Sequence, residues 1–515
     1  MLSLLKFTLG PLDIATLVVF ALLLLCTDYT PSWWGKHIQG MMQRKPRGAG
    51  GVPGPLALPL LGTSWLYWRW GRYSLSRLHL AYRDMFRRYG PIVKEEALWN
   101  YPVVSLLDLG DISKVLRHPS RCPLRPPTEA IAQYRRSRPD RYASAGLPHE
   151  QGDKWHELRA LLTPELVSRR TMDQFLPELQ LVAEDLAALL RARRDAAGRV
   201  AGVLELANTL GLESICVLVL GRRLGFFNKD LGALASRLGA VIKEHFLACR
   251  DTYFGLPLWK LFPTRAYRQM VRSEEAYYEI ISELVEAALS EERSTCPVDG
   301  IRSVFASVLR VPQLDVREKK AAIIDFIAAG IQGMCNSLVF LLYLMAKHPD
   351  CQRRLFLELQ ALGPLTAESL RTAPYLRACI HESYRLLPAA ISIARILETD
   401  MELSGHLLPA GTVVLCHTWL AGQEERHFAA PEQFRPERWL SPDGRFAAAG
   451  SIPVVPFGYG KRMCPGKGFV DQELRLLLAK LIQEFHIGFE GELELQFEFF
   501  LSPAGPVSFS FTDRQ

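Results

Sequence analysis

Ten residues near the C-terminus constrain this chain more than any other stretch: Phe457-Gly458-Tyr459-Gly460-Lys461-Arg462-Met463-Cys464-Pro465-Gly466. Small and cationic residues surround one cysteine. A thiolate used as a metal ligand carries negative charge, so it needs backbone N–H donors, close backbone approach and shelter from water. Gly460 and Gly466 permit the approach, and Phe457 supplies the shelter. The bland alternative, a Gly-rich surface turn with an inert cysteine, fits poorly with so complete a set.

The spacing F-x-x-G-x-R-x-C-x-G resembles the haem-binding signature of the cytochrome P-450 superfamily, the haem-thiolate monooxygenases. The resemblance implies haem b with Cys464 as the axial ligand to iron. Arg462 then suits an anionic propionate, a task for a planar guanidinium. The fold implied is mainly α with a smaller β region. One large catalytic domain, 51–515, follows an N-terminal anchor or targeting segment, 1–50. Dioxygen, a hydrophobic substrate and a redox protein are the implied partners.

Composition agrees. The chain of 515 residues is 49% apolar and 22% charged, enough to bury a large core, and no Ser/Gly-rich linker divides it. A net charge of +7 is modest, and its densest basic cluster, Arg135, Arg136, Arg138 and Arg141, reads as a solvated face. Nucleic acid is therefore not an expected partner. Ten cysteines without a C-x-x-C pair suggest neither a zinc site nor a disulfide frame, and so a reducing compartment.

From Leu9 to Cys26 the chain is apolar except for Asp13 and a few small or hydroxyl residues. That is short of the roughly 20 residues of a membrane span, so an uncleaved anchor and a removed leader both fit. The lack of an Arg-rich amphipathic pattern favours the anchor, with Trp33-Trp34 at the interface and Lys36, Arg44, Lys45 and Arg47 beyond it. The following run, Gly51 to Gly62, is a proline-punctuated elbow able to hold a stiff angle.

Ser76 to Tyr89 reads as a helix, Ile92 to Glu96 and Pro102 to Leu107 as strands, and Gly110 to Gln151 as largely irregular. Trp155 and Arg159 lie four apart on one helical face, matching the family's W-x-x-x-R pair that binds a propionate. Val241 to Pro263 reads as core, while the resemblance implies a pocket roof touching the membrane. Ala321 to His348 is a long apolar helix carrying Gly330, Gln332 and Gly333. Glycine inside a helix costs about 1 kcal/mol relative to alanine, and room for oxygen above iron, or close helix packing, would justify two of them. Where the family has an acid and a threonine for proton delivery, this chain has Gln332 and Gly333. Protons would then come from water, Asn336, Ser337 or a substrate hydroxyl.

Glu382 and Arg385 share a helix over Pro374 to Leu387, and Phe434-Arg435-Pro436-Glu437-Arg438-Trp439 resembles the family's F-x-P-E-R-F motif. The resemblance implies a Glu382–Arg385–Arg438 network bracing the cysteine loop. Ala389 to Ile393 should line an apolar pocket, Arg395 is either a further propionate candidate or an ordinary sheet-edge arginine, and Leu407 to Thr418 reads as a hairpin around Pro409-Ala410-Gly411.

Beyond Pro53 the chain looks most like the mitochondrial clan, whose members take electrons from a small ferredoxin through basic residues. Arg377, His381 and Lys467 stand at those positions, although Gly468 replaces one usual cation. Pro53 to Gly62, Arg88 to Trp99 and Pro456 to Gln472 look most like arthropod members that hydroxylate a steroid hormone. The expected activity is steroid hydroxylation, fed by mitochondrial ferredoxin or a diflavin reductase, at the mitochondrial inner membrane or the endoplasmic reticulum. Two rivals stand beside it: a haem-thiolate isomerase or dehydratase acting on a peroxide, motivated by the missing threonine, and, of a different class, a haem protein that binds a steroid without turnover.

Overall fold

The computed structural model describes residues 51–59, 61–68, 71–97, 100–292, 304–447 and 454–514; the expected N-terminal anchor lies outside the described residues. The elbow is laid along a sheet edge. The Lys94 N–H donates to the Pro53 carbonyl at 2.8 Å and the Thr63 N–H to the Glu96 carbonyl at 2.7 Å. A Cβ at Gly54 or Gly62 would stand 2.0 Å from the Lys94 or Glu96 carbonyl oxygen, so only glycine lets the two backbones meet.

Helix α1, Leu78–Tyr89, buries Leu78, Ala81, Tyr82, Met85 and Phe86, the i, i+3, i+4, i+7, i+8 stripe of an amphipathic helix. It stops at Gly90, in the left-handed region at φ 96°. Strands β1, Ile92–Ala97, and β2, Tyr101–Leu106, pair antiparallel. The next stretch is less irregular than its Arg/Pro content suggests, since it holds helix Leu109–Arg117 and α2, Glu129–Arg136. Arg135 departs from the solvated face expected of its cluster. It is 2% exposed, donating to Glu274 at 2.7 Å and Asp325 at 2.6 Å, because two buried carboxylates compensate its desolvation.

Among the helices of the body are α3, Gly152–Leu162; α4, Val203–Leu220; α5, Lys229–Phe254; α6, Arg265–Glu292; and α7, Val316–Lys347. Among the described residues α4 and α7 are long and apolar enough to cross a membrane, but 72% of each apolar window is buried inside the protein. They are core helices, apolar on all sides because neighbours pack on all sides. Asp315 caps α7 by accepting from the Arg317 N–H at 2.7 Å. The helix runs between two cores: most of its buried residues join the helical cluster, while Phe340 joins the cluster beneath the sheet.

Helix α8, Pro374–Leu386, precedes β3, Ile393–Ile396. The expected hairpin at Pro409-Ala410-Gly411 is displaced. Strands β4, Met401–Leu403, and β5, His406–Leu408, pair around Ser404 and Gly405, whose φ of 47° and 77° make a tight hairpin turn. Strand β6, Val413–Cys416, instead joins the four-stranded sheet, ordered β1-β2-β6-β3, parallel to β2. Helix α9, Lys467–Glu484, follows the cysteine loop, and a short pair, β7, Leu495–Phe497, and β8, Leu501–Pro503, returns to α7.

Candidate active site

The cysteine loop holds its shape through two left-handed glycines, Gly458 at φ 81° and Gly460 at φ 68°, and a 3-10 turn over Gly460–Arg462. The Cys464 N–H donates to the Phe457 carbonyl at 2.8 Å. No atom lies within 4 Å of a Cβ built on Gly460, so its role is conformational and not the close approach expected. A Cβ on Gly466 would stand 3.8 Å from the Cys464 sulfur. Helix α9 starts three residues after Cys464, which sets the sulfur at a helix N-terminus. Burial pushes the thiol up, while the Gly466 N–H, Arg159, Arg125 and the Lys467 N–H favour the thiolate. Cys464 is set deep among protein atoms, yet its side chain is exposed. The residue is therefore within reach of a ligand although protein surrounds it. The other described cysteines are also free.

Cations crowd the same place. The Arg462 guanidinium lies 3.7 Å above the Trp155 ring and donates to the carbonyls of Pro123 at 2.8 Å and Glu150 at 3.2 Å. Arg159 donates to the Met463 carbonyl at 2.9 Å and Arg395 to the Tyr459 carbonyl at 3.0 Å. Burial first, then Arg125 and Arg395, bring Arg462 down to about 9. Like charges held together out of water require an anionic counterpart. Arg125 has no signature in the sequence, since its irregular Arg/Pro segment carries no periodic signal.

The two glycines of α7 differ. A Cβ on Gly330 would stand 2.7 Å from the Ile215 side chain of α4, so the expectation of room for oxygen fails there and close helix packing explains this glycine. Gly333 has no atom within 4 Å of such a Cβ. Gln332 Nε2 donates to Glu498 at 3.1 Å, and Asn336 Nδ2 donates to the Leu501 carbonyl at 3.0 Å and Ser502 at 2.8 Å. Ser337 donates back to the Gly333 carbonyl at 2.8 Å. Asn336 and Ser337 are thus occupied as braces.

Behind the loop, Arg385 donates twice to Glu382, at 2.9 and 2.7 Å, and Arg438 donates at 2.9 Å. Two further donors to this carboxylate carry no signature in the sequence: the Trp439 indole at 2.8 Å and the Arg435 N–H at 3.0 Å. Tryptophan in place of the family's phenylalanine adds a hydrogen bond. Glu382 is fully buried and Arg385 is 1% exposed. On the outer side Arg377 stacks 4.1 Å above Phe446, and Lys467 pairs with Asp471. His381 is packed 4.4 Å from Trp439 and lowered to about 4 by burial, so it is neutral at physiological pH and adds no cation.

A cysteine at a helix N-terminus, accessible although surrounded by protein, and crowded guanidinium groups fit haem: the sulfur suits its iron, and the cations suit its two carboxylates. The chain is a cytochrome P450, since the family model of that description matches residues 52–511. It belongs to the haem-thiolate monooxygenases, oxidoreductases whose haem iron carries a cysteine thiolate. Among similar proteins, ecdysone 20-monooxygenase of Drosophila melanogaster is 45% identical, covering 92% of this chain and 90% of the relative. Mitochondrial cytochrome P450 302a1 of the same species is 31% identical, covering 88% and 94%. The mitochondrial 1,25-dihydroxyvitamin D(3) 24-hydroxylase of Mus musculus is 27% identical, covering 87% and 85%.

Proposed function

We propose that this monooxygenase hydroxylates ecdysone at carbon 20 to give 20-hydroxyecdysone. The carrying observation is the 45% identity with the Drosophila ecdysone 20-monooxygenase over nearly the full length of both chains. When bound, haem supplies the oxidising chemistry, and its thiolate ligand pushes electron density toward O–O cleavage, as in cytochrome P450s generally. Cys464 is that ligand in this reading, with Phe457 shielding it and Gly466 leaving its sulfur uncrowded. Trp155, Arg159 and Arg462, joined by Arg125 and Arg395, hold the propionates. Gly333 leaves space for dioxygen.

The roof suits a bulky apolar substrate. Phe246 of α5 meets Phe500 at 5.2 Å and Tyr253 meets Phe499 at 5.9 Å, between the roof helix and the β7–β8 turn. Leu261 and Phe262, 69% and 52% exposed, give the roof an apolar outer edge suited to a membrane surface. Membrane attachment would be completed by residues 1–50. Electrons arrive at the face of Arg377 and Lys467, extended by Arg475, which adds a like charge beside Arg377. Mitochondrial ferredoxin is the favoured donor because mitochondrial P450s stand among the relatives, and the mitochondrial inner membrane is then the site of action. A diflavin reductase and the endoplasmic reticulum are the alternative.

The test is mass spectrometry of ecdysone incubated with the purified holoenzyme under isotopically labelled dioxygen, with each electron donor in turn. One labelled hydroxyl at carbon 20 is expected with ferredoxin. Product from the diflavin reductase alone would reassign the donor, and unlabelled or absent product would remove the proposal.

A further inference from the structure

Glu498 lies in the turn between β7 and β8 and is 3% exposed. A buried carboxylate away from the propionate cations, beside the helix position where the family keeps an acid, needs an explanation. Three side chains face it. Gln332 Nε2 donates to one carboxylate oxygen at 3.1 Å, Gln496 Nε2 donates to the other at 2.7 Å, and the Lys243 ammonium of α5 stands 3.2 Å from that second oxygen. The Glu498 N–H donates to the Phe500 carbonyl at 2.8 Å, which fixes the turn. The Lys243 side chain is 47% exposed, so the chain of polar groups starts in solvent. It ends at Gln332, which is 7% exposed and whose Oε1 is buried without a hydrogen-bond partner among the described residues. The next residue is Gly333, with open space beyond its Cα.

We propose that Glu498 is the acid of the oxygen-side proton relay, moved from α7 to the β7–β8 turn, and that Gln332 is its positioning residue. Because Nε2 is committed to Glu498, Oε1 is aimed as an acceptor that holds a water beside Gly333. Hydroxylation consumes one dioxygen, two electrons and two protons: the substrate C–H bond breaks, a C–O–H group forms, and the second oxygen atom leaves as water. For each proton Glu498 takes one from the Lys243 ammonium, which solvent reprotonates. It passes that proton to the water by turning its carboxyl off Gln332 Nε2, since the amide N–H donates to Glu498 and cannot itself accept the proton. Both charges are unchanged after turnover. The electrons come from the redox protein. The loss of the family's acid and threonine is in this way compensated by a carboxylate 166 residues away in sequence. The inference rests on the hydroxylation proposed above.

The test compares wild-type holoenzyme with Glu498→Gln, and with Glu498→Gln combined with Gln332→Glu, which returns an acid to the helix. Two readouts are taken: product formed per electron pair consumed, with hydrogen peroxide measured alongside, and the infrared C–O stretch of the reduced, carbon monoxide-bound haem. In Glu498→Gln, product per electron pair is expected to fall about tenfold or more, within the span of a lost general acid. Peroxide should account for the difference, haem content and ecdysone affinity should stay within about twofold, and the C–O stretch should shift. The double variant should recover most of the coupling. Coupling within about twofold of wild type in Glu498→Gln, or an unmoved C–O stretch, would overturn the relay. If Glu498→Gln fails to retain haem, Gln332→Leu serves in its place, with the same expected losses and the same overturning results. A wild type that hydroxylates no ecdysone would sink the substrate assignment, while the C–O stretch would still decide whether Glu498 acts on the oxygen side.

Discussion

A methyl group added at Gly330 would stand 2.7 Å from the Ile215 side chain, which is itself 4% exposed and branched at Cβ, so it cannot swing away. Gly330→Ala is expected to lower stability by about 1–3 kcal/mol, the cost of overpacking. Gly333→Ala meets no such neighbour. It should leave melting unchanged or raise stability by up to about 1 kcal/mol through helix propensity, while slowing turnover by filling the space beside the helix. Thermal melts of both variants with a turnover assay check the pair, and equal losses of stability would contradict it. The contrast between these residues was not legible in the sequence, where both are small residues in an apolar helix. Burial partners decide it, and Ile215 is more than a hundred positions away.

At the scale of elements, the Glu382 carboxylate ties α8 to the turn that carries Arg435, Arg438 and Trp439, just upstream of the cysteine loop. Glu382→Ala strands two guanidinium groups and an indole N–H. A loss of about 3–5 kcal/mol is expected, read as a lower melting temperature and lost haem; full haem content with unchanged melting would refute the bracing role. This network was legible because E-x-x-R and F-R-P-E-R-W each put charges at fixed spacing. Glu473 was not, since a glutamate inside a helix looks solvated. It is fully buried in α9, accepts from Ser214 of α4 at 2.7 Å, and is raised to about 7 by burial. Its folded-state value exceeds its unfolded value near 4.5, so the folded state binds the proton more tightly. Its contribution is full below pH 4.5 and is lost as pH rises through 7, by about 1.4 kcal/mol per pH unit between the two values. Glu473→Gln should therefore melt higher than wild type at pH 8 and by a smaller margin at pH 5. A margin independent of pH would contradict the account.

For the whole molecule, the fold class followed from short motifs whose chemistry is local, and the proposed haem cradle is marked by the same kind of spacing: one cysteine among glycines, an indole and a guanidinium one turn apart. The misplaced hairpin at Pro409-Ala410-Gly411 shows the limit, because alternation finds strands but not their partners, and β6 pairs with β2, more than three hundred residues earlier. Arg125 and Glu498 belong to the same class of feature, single polar residues given meaning only by what the fold brings beside them. All of it converges on Cys464. The most direct test is the carbon monoxide difference spectrum of the reduced protein, wild type against Cys464→Ala, with haem bound in both. The account predicts a thiolate-type spectrum in the wild type and its complete loss in Cys464→Ala. A thiolate-type spectrum surviving the substitution would contradict it.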